Sequence, residues 1–457
     1  MTKDKGGAVA TLDRQKLEKL LAAERSLFAK NHPKSHALFE QAKASLLGGV
    51  PMTWMTKWPG QFPIFVESAN GAHLSDVDGH EYIDFCLGDT GAMSGHAPAQ
   101  SVQAATKQLQ RGTSFMLPTA DSIEVGKELA ARFGLPYWQI VLTATDANRF
   151  AIRLCRQITG RPRILVFNYC YHGTVDETFI TLRDGVAVSR AGNIGAPVDP
   201  TVTTRVVEFN DIPALKEALS HGDVACVLAE PAMTNIGIIH PDPGFHDALR
   251  ELTQAAGALL IIDETHTICT GPGGYTRAHN LRPDILTVGK PLAGGVPAAA
   301  YGLSAEVAEK IQAHANIQDC DTGGIGGTLA GNARSVAAMK ATLTHVLTES
   351  TYQHTFKLAE KFSSEVESTI ETLGLPWIVK RLGCRVEYWF SKNAPRNGGE
   401  AAASIDFDLD QYMHLAALNR GILMTPFHNM ALMAPTTTEA DVEKHTQVFT
   451  EIAKQLI

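Results

Sequence analysis

The stretch ALLIIDET, residues 258–265, is apolar until it ends in three polar residues. The stretch ILTVGK, residues 285–290, is equally apolar apart from Thr287 and ends in a glycine and a lysine. Continuous rather than alternating hydrophobicity is typical of strands that are covered on both faces. Both stretches therefore predict buried strands that deliver polar side chains at their carboxyl ends.

More runs of this kind lie in the middle of the chain, and helix-like segments such as GFHDALRELTQAAG (244–257) separate several of them. Strands that alternate with helices indicate parallel crossovers. The sequence therefore predicts an α/β fold whose large domain holds one mostly parallel, seven-stranded sheet with helices on both sides. The other five runs are QIVLTAT (139–145), RILVFN (163–168), TRVVEF (204–209), VACVLAE (224–230) and AAAYGLS (298–304).

The two ends of the chain have a different pattern of apolar and polar residues. Residues 12–47 predict a helix with one apolar stripe, residues 62–88 alternate like short antiparallel strands, and residues 439–457 predict a closing amphipathic helix. We expect both ends to contribute to a small α+β domain. The expected boundaries are an N-terminal segment over 1–88, a large domain over 89–330 and a C-terminal α+β part over 331–457.

The composition is that of a globular enzyme, with 44% hydrophobic and 19% charged residues in 457. The net charge of -8 lacks the basic excess that a nucleic acid partner requires. Seven cysteines without a CxxC pair favour a reducing compartment. The N-terminus does not resemble a secretory signal, and no apolar run reaches the roughly 18 residues of a membrane span. We expect a cytoplasmic protein without a membrane partner.

Ligands of open α/β sheets gather at the carboxyl ends of the strands, so the polar residues there are candidates for a site. TATDANRF (143–150) leads from one run into a helix, whose free N–H groups and dipole suit a phosphate. Thr143 and Thr145 would add hydroxyl donors to such a phosphate cup. The same pattern also fits an ordinary threonine helix cap.

Asp263 and Lys290 follow two successive runs and stand 27 residues apart. A lysine that loses hydration at a strand end favours its neutral amine, which is a nucleophile toward an aldehyde. An aspartate beside it can hold the pyridinium nitrogen of a bound pyridoxal ring. For these two residues on their own, a structural Lys–Asp ion pair is the better explanation.

An ordered set of short motifs runs through most of the chain. It consists of SHALFEQAKASLLGGV (35–50), DVDGHEYIDF (76–85), GAMSGHAP (91–98), TATDANRFAIRLCR (143–156), YHG (171–173), AEP (229–231), DET (263–265), TVGKPLAGGVPAAAYG (287–302) and GGTLAGN (326–332). The set resembles the class III pyridoxal-phosphate aminotransferases of fold type I, and most closely the branch that contains glutamate-1-semialdehyde 2,1-aminomutase. The resemblance implies pyridoxal 5'-phosphate as cofactor and a homodimer with its site at the subunit interface.

By position, the resemblance also implies a role for each motif residue. Lys290 would form the internal aldimine and shuttle protons, and Asp263 would bind the ring nitrogen. The other implied cofactor residues are Tyr171 on one ring face with His172 beside it, Thr265 on the other face, Thr143, Ala144 and Thr145 at the phosphate, Thr328 at the phosphate of the neighbouring subunit, and Glu230 as a brace near Asp263. No paired spacing supports a metal site.

Departures from the family pattern concern the substrate. Relatives that handle amino acids place an arginine in one of two stretches, which read GGVPMTWMTKWPG (48–60) and LMTPFHNMALMAP (423–435) here and contain none. Asp89 stands where the resembled aminomutases usually have a tryptophan, and an acid there disfavours a substrate carboxylate. The substrate candidates are Met52, Trp54, Met55 and Trp58, which alternatively form plain packing, together with Asp89 and His428.

We therefore hypothesise an omega-transaminase that takes a primary amine without a nearby carboxylate, bulky amines included, and passes its amino group to a keto acid such as pyruvate. Arg396 is a candidate for binding the acceptor carboxylate. The alternatives that keep the cofactor are an aminomutase, an epimerase and a decarboxylase. A nucleotide-binding oxidoreductase lacks its GxGxxG turn here, and Ala144, at a family glycine position, leaves a non-catalytic relative open.

Overall fold

The computed structural model describes residues 12–314, 324–426 and 428–457. The chain forms two compact units. The first is drawn from Met1–Ala97, Gln353–Ala394 and Ser404–Ile457, and the second from Pro98–Tyr352 and Pro395–Ala403. The division into 1–88, 89–330 and 331–457 stays a prediction.

The strands of the described residues are short and are numbered in chain order. They are β1 (Val66–Asn70), β2 (His73–Asp76), β3 (Glu81–Asp84), β4 (Tyr137–Val141), β5 (Arg163–Phe167), β6 (Ile180–Arg183), β7 (Val186–Ser189), β8 (Thr204–Val207), β9 (Val224–Ala229), β10 (Leu259–Asp263), β11 (Ile285–Val288), β12 (Ala299–Leu303), β13 (Ile378–Leu382), β14 (Arg385–Trp389), β15 (Ile422–Leu423) and β16 (Met430–Leu432).

The α-helices of the described residues are numbered in the same way. They are α1 (Arg14–Asn31), α2 (Pro33–Ala42), α3 (Ala99–Leu109), α4 (Asp121–Phe133), α5 (Ala144–Thr159), α6 (Pro200–Thr203), α7 (Ile212–Ser220), α8 (Phe245–Ala256), α9 (Gly274–Ala278), α10 (Ala305–His314), α11 (Ala333–His345), α12 (Glu349–Leu373), α13 (Gly398–Ala403), α14 (Phe407–Leu418) and α15 (Glu439–Lys454).

The second unit is built on a sheet that has seven strands among the described residues, in the order β4-β12-β11-β10-β9-β5-β8. Only β12 runs antiparallel to its neighbours in that order. Every one of the seven apolar runs of the sequence forms one of these strands. The predicted mostly parallel sheet is therefore confirmed, and six strands point their carboxyl ends to the same edge.

Burial explains why these runs lack polar alternation. All residues of β9, β10 and β11 are buried, because helices cover the sheet. Helix α5 packs on β9, β11 and β12, and helix α8 packs on β10. Among the described residues, the core between them includes Val141, Ala147, Ile164, Cys226 and Ile285.

The first unit holds two smaller sheets among its described residues, with the orders β1-β2-β3-β15 and β13-β14-β16. Strands β1, β2 and β3 form antiparallel hairpins, as their alternating pattern predicts. The DVDGH turn between β2 and β3 is closed by Asp76, whose Oδ1 accepts from the N–H groups of Asp78 at 3.0 Å and His80 at 2.9 Å. The closing helix α15 also forms as predicted.

The single helix predicted over 12–47 is wrong, because the chain breaks it into α1 and α2. Pro33 has no N–H to continue α1, and its ring disfavours helical geometry at the preceding residue. His32 accordingly adopts φ -119° and ψ 50°. Pro33 then occupies the first turn of α2, where a missing N–H costs nothing.

Two further observations concern the whole described chain. Within the described ranges, no helix has the length and apolar character that crossing a membrane requires. Six cysteines are buried there without forming a disulfide among the described residues, and Cys320 lies outside those residues.

Candidate active site

Asp263 and Lys290 come from adjacent parallel strands of the second unit. Asp263 ends β10 and lies opposite Thr287 of β11, three positions before Lys290. The backbone N–H of the next residue, Glu264, donates to Thr287 O at 2.8 Å. The sheet register therefore brings both residues to the same edge, as predicted from their positions after successive runs.

The carboxylate of Asp263 is buried and surrounded by donors. Oδ2 accepts from Asn148 Nδ2 at 2.8 Å and lies 2.9 Å from His172 Nδ1. Oδ1 accepts from the backbone N–H of Thr265 at 3.0 Å. Because only 4% of the residue is exposed, these donors replace water in stabilising the charged form.

The contacts of Asp263 and His172 determine the pKa values of both residues. Burial on its own raises the pKa of Asp263, but the hydrogen bond and charge of His172, helped by Thr265 and Asn148, lower it to about 2. Burial on its own lowers the pKa of His172, whereas nearby Cys170 and the hydrogen bond to Asp263 raise it to about 10. At neutral pH the pair is therefore a carboxylate and an imidazolium, and the carboxylate keeps its charge.

Asn148 is a member of this site that the sequence interpretation missed. It lies on α5, fully buried, and donates to His172 O at 3.1 Å as well as to Asp263. Its Oδ1 accepts from Thr287 Oγ1 at 2.6 Å. The available signal was an asparagine on the helix face that also carries Ala147 and Ala151, since a polar residue on a buried face needs partners.

Lys290 opens the 3-10 helix Lys290–Ala293 with a left-handed φ of 52°. Such a φ is uncommon for a residue with a Cβ and marks a constrained turn. The preceding Gly289 is packed tightly, because a Cβ there would lie 3.0 Å from Ala144 Cβ and 3.2 Å from Ala299 Cβ. The turn that presents the lysine is therefore set by close packing with the start of α5 and with β12.

The lysine amine has a histidine beside it. Lys290 Nζ lies 2.7 Å from His266 Nε2. His266 directly follows Thr265 in the sequence, and the sequence interpretation gave it no role in the site. The signal that would have found it is its position three residues after Asp263, at the sheet edge where Lys290 also lies.

The TAT segment has the geometry of a helix cap. Thr143 precedes α5, and its Oγ1 accepts from Asp146 N at 3.1 Å and donates to Asp146 Oδ2 at 2.9 Å. Thr145 Oγ1 accepts from Thr174 N at 3.1 Å. The ordinary cap is thus present, while the N-terminus of α5 lies at the same edge as Asp263 and Lys290. Phosphate binding by Thr143, Ala144 and Thr145 stays a prediction.

The remaining motif residues have the following surroundings. Tyr171 lies edge-on to Phe179, with ring centroids 6.3 Å apart. Glu230 follows β9 and accepts hydrogen bonds from the backbone, at 3.1 Å, and the hydroxyl of Thr234. Thr328 lines a groove together with Phe115. Their cofactor roles stay predictions.

The substrate candidates of the first unit are described within that unit. Trp54 and Met55 lie on the 3-10 helix Thr53–Thr56 and are about 40% exposed. Trp58 is half-buried, and Met52 is 45% exposed. These side chains are partly open to solvent in the single chain, so packing against a second copy stays an alternative to core packing, and their substrate role stays a prediction.

Asp89 lies in a left-handed turn, in which Leu87, Gly88, Asp89 and Thr90 all have positive φ between 46° and 80°. A buried arginine holds this turn: Arg385 on β14 donates to Thr90 Oγ1. The sequence search for an arginine covered two stretches and missed Arg385, which lies in neither.

The last two candidates for substrate binding, His428 and Arg396, both have acidic partners. His428 Nδ1 lies 2.8 Å from Oε1 of the buried Glu387, also on β14. Arg396 belongs to the second unit and pairs with Asp242, and its side chain is 65% exposed. The substrate roles of both stay predictions.

A pyridine ring with a protonated nitrogen fits the site at the sheet edge. Among the described residues, His172 Nε2 and Thr265 Oγ1 are buried without a hydrogen-bond partner. Buried polar atoms that lack partners indicate a missing ligand or water. A buried, ionised Asp263 between them supplies the acceptor that a pyridinium requires.

The family model for class III aminotransferases matches residues 54–456. The chain belongs to the class III aminotransferases. A glutamate-1-semialdehyde 2,1-aminomutase of Methanosphaera stadtmanae is 33% identical over 399 residues, which cover 86% of this chain and 91% of the relative. This class III member is therefore a pyridoxal-phosphate-dependent enzyme of fold type I.

Solved structures of class III proteins agree over nearly the whole chain. A glutamate-1-semialdehyde-aminomutase of Pseudomonas aeruginosa PAO1 is 49% identical with a TM-score of 0.96, covering 98% of this chain and 100% of that one, and it is also known in complex with PMP. An omega-transaminase of Sphaerobacter thermophilus is 27% identical with a TM-score of 0.83, covering 92% and 97%. Both reactions that the sequence suggested thus occur on this fold.

Proposed function

We propose that the protein moves an amino group between neighbouring carbon atoms of a small amino carbonyl compound, as an aminomutase does. This reverses the order of preference drawn from the sequence. The support is the name shared by the relatives in Methanosphaera stadtmanae and Pseudomonas aeruginosa PAO1, at 33% and 49% identity. The structural observation that carries the proposal is the buried, ionised Asp263 at the sheet edge that also presents Lys290.

Pyridoxal phosphate supplies, when bound, a carbonyl for the amino group and a ring that withdraws electrons from the reacting carbon. In this proposal Asp263 would accept a hydrogen bond from the ring nitrogen, and His172 keeps Asp263 ionised. Lys290 would hold the cofactor, and its Nζ would carry protons to and from the reacting carbon. The other proposed cofactor contacts are Tyr171 and Thr265 at the ring, Thr143, Ala144 and Thr145 at the phosphate, and Glu230 behind Asp263.

A second candidate is the amine transaminase. Its support is the absence of arginine from the stretches 48–60 and 423–435, together with Asp89. A carboxylate substrate gains from a bidentate guanidinium and is repelled by an acid. These departures favour an amine donor without a carboxylate, with Trp54, Met55, Trp58 and His428 as its proposed contacts.

The two candidates differ in the number of substrates. We expect the enzyme, loaded with the amine form of the cofactor, to convert glutamate 1-semialdehyde into the isomer with its amino group on the neighbouring carbon, without a second substrate. Nuclear magnetic resonance of the reaction mixture measures this, with Lys290→Ala as the inactive control. Formation of alanine from pyruvate and a simple amine, without isomer formation, would instead establish the transaminase.

We further propose that the active form is a homodimer in the cytoplasm. The support is an exposed apolar segment, Phe115, Met116 and Leu117, which is 43%, 79% and 72% exposed and lines the same groove as Thr328. Burying such a segment against a second copy is favourable by roughly 25 cal/mol per Å². Light scattering should give twice the chain mass, and a fully active monomer would contradict the dimer.

A further inference from the structure

The Lys290 amine has a histidine within hydrogen-bond distance. Lys290 Nζ and His266 Nε2 lie 2.7 Å apart, which is a short hydrogen-bond distance for two nitrogen atoms. His266 lies in the loop that follows β10, and Lys290 lies in the turn that follows β11. The contact therefore arises from the same pairing of adjacent parallel strands that brings Asp263 to the site.

His266 and Lys290 both lie in backbone segments with defined local structure. His266 precedes the 3-10 helix Thr267–Thr270 with φ -98° and ψ -37°, and its carbonyl accepts from Cys269 N at 3.3 Å. Lys290 is fixed in a left-handed turn behind the packed Gly289. Two rigid turns thus hold an imidazole and an amine at proton-transfer distance.

Two carboxylates lie on the segment that carries His266. Asp263 is three residues before His266 and is engaged with His172 at 2.9 Å. Glu264 is buried, and its carboxylate accepts hydrogen bonds from the turn that follows it. Both carboxylates therefore already have donors, and an imidazolium directly beside the Lys290 ammonium would place two positive charges 2.7 Å apart.

We propose that His266 is the proton partner of Lys290, receiving the proton that Nζ must lose before it attacks a carbonyl and returning it afterwards. The inference rests on the proposed role of Lys290 as the cofactor-binding amine. In this step the N–H bond at Nζ breaks, its electron pair stays on Nζ, and a new N–H bond forms at Nε2 of His266. The pair keeps a single positive charge throughout, so no other proton donor or acceptor is needed.

This role has a signature in the pH dependence of the amine. Moving the proton from Nζ to Nε2 leaves the number of bound protons unchanged, so this route adds a rate of capture that does not change with pH. The proton can also leave for solvent, and the wild type and the variants share that second route. The rate of the solvent route rises roughly tenfold per pH unit, so without His266 only this steep dependence remains.

The test uses the full-length chain freed of cofactor, to which pyridoxal phosphate is added. The rate of covalent capture is measured between about pH 7 and pH 10, by reduction with borohydride and mass spectrometry of the Lys290 peptide. His266→Gln keeps a hydrogen-bonding side chain but removes the titration, and His266→Asn serves as the second variant. His221→Gln, at an exposed position after α7, is the matched control.

We expect the rate for the wild type and for His221→Gln to level off toward about pH 7, where the histidine route dominates. For His266→Gln we expect capture roughly tenfold to a hundredfold slower near pH 7, rising to the wild-type rate near pH 10. Parallel pH profiles for the wild type and both His266 variants would overturn the inference. Labelling of a lysine other than Lys290 in the wild type would instead contradict the proposed role of Lys290, so the two failures are distinguishable.

Discussion

Asn148 Nδ2 lies 2.8 Å from Asp263 Oδ2 and 3.1 Å from His172 O, so one amide on α5 joins the two members of the buried ion pair. The other end of the amide accepts from Thr287 on β11. Helix α5, strand β11 and the loop that carries His172 are therefore tied together at the edge of the sheet. Networks of this kind are stable only when every member has its partner.

Asn148→Ala should destabilise the cofactor-free enzyme by about 2 kcal/mol, because it leaves the Thr287 hydroxyl and part of the Asp263 carboxylate without partners. Urea denaturation of the variant against the wild type measures this. The double variant with Thr287→Val should cost less than the sum of the two single changes, since both remove the same hydrogen bond. Strict additivity would show that Asn148 and Thr287 act independently.

Asp263→Asn should lower the pKa of His172. The pKa of His172 is raised to about 10 from 6.5 by Cys170 and by the hydrogen bond and charge of Asp263, so its protonated form stabilises the fold below pH 6.5 and this contribution is lost as the pH rises to 10. Without the carboxylate, only Cys170 opposes the effect of burial, so the pKa of His172 should fall.

Nuclear magnetic resonance of imidazole-labelled, cofactor-free protein follows this titration directly. We expect no titration of His172 near neutral pH in the wild type and a titration at lower pH in Asp263→Asn than in the wild type. Turnover with cofactor should fall by at least about a hundredfold in the variant, because the ring nitrogen loses its ionised partner. An unchanged His172 titration would rule out the ion pair.

The positions of Asp263 and Lys290 could be predicted from the sequence, because a run of buried strands fixes where polar residues emerge. Asn148 and His266 had only the signal of their positions, since their partners depend on which strands pair and on the rotation of α5. The break at Pro33 was available from the sequence, because proline excludes a continuous helix there. Arg385 was not predicted to be buried near Asp89, because it lies outside the two stretches in which the family pattern places an arginine. Its burial arises from the pairing of β14 with its neighbours.

Gly173→Ala should disturb the segment that carries Thr145. Gly173 has a φ of 80°, and a Cβ there would overlap with the Thr145 hydroxyl. Gly185, in the β6–β7 turn, has a similar φ of 77° with nothing within 4 Å, so Gly185→Ala measures the backbone strain alone. That strain costs roughly 1–2 kcal/mol.

Thermal unfolding of both variants separates the two effects. We expect Gly173→Ala to be less stable than Gly185→Ala by a further 1–3 kcal/mol, on the order expected for overpacking. Its affinity for pyridoxal phosphate should also fall, whereas Gly185→Ala should retain the wild-type affinity. Equal stability and affinity in the two variants would contradict the proposed phosphate contact of Thr145.

Asp410→Asn should change how the stability of the protein depends on pH. Burial, with the charges of Asp406 and Glu387, raises the pKa of Asp410 from 3.8 to about 7. The folded protein then binds this proton more tightly than the unfolded chain, so its stability falls as the pH rises from 3.8 to about 7.

The variant cannot ionise, so we expect it to be more stable than the wild type by roughly 2–4 kcal/mol at pH 8 and similar to it at pH 4. Denaturant titrations at the two pH values measure the difference. Asp408→Asn, at an exposed position on the same helix, is the control and should show no such gain. A gain of equal size at both pH values would point to packing rather than ionisation.

At Lys290, the left-handed backbone conformation lowers the stability of the fold, while the lysine side chain supplies the reactive amine. A glycine would adopt a φ of 52° without steric cost, whereas any residue with a side chain pays in strain. The nucleophilic lysine therefore stands at a position whose backbone conformation favours glycine. An inactive Lys290→Gly enzyme should accordingly tolerate heat better than Lys290→Ala, which makes the glycine variant the sturdier scaffold for trapping a bound substrate.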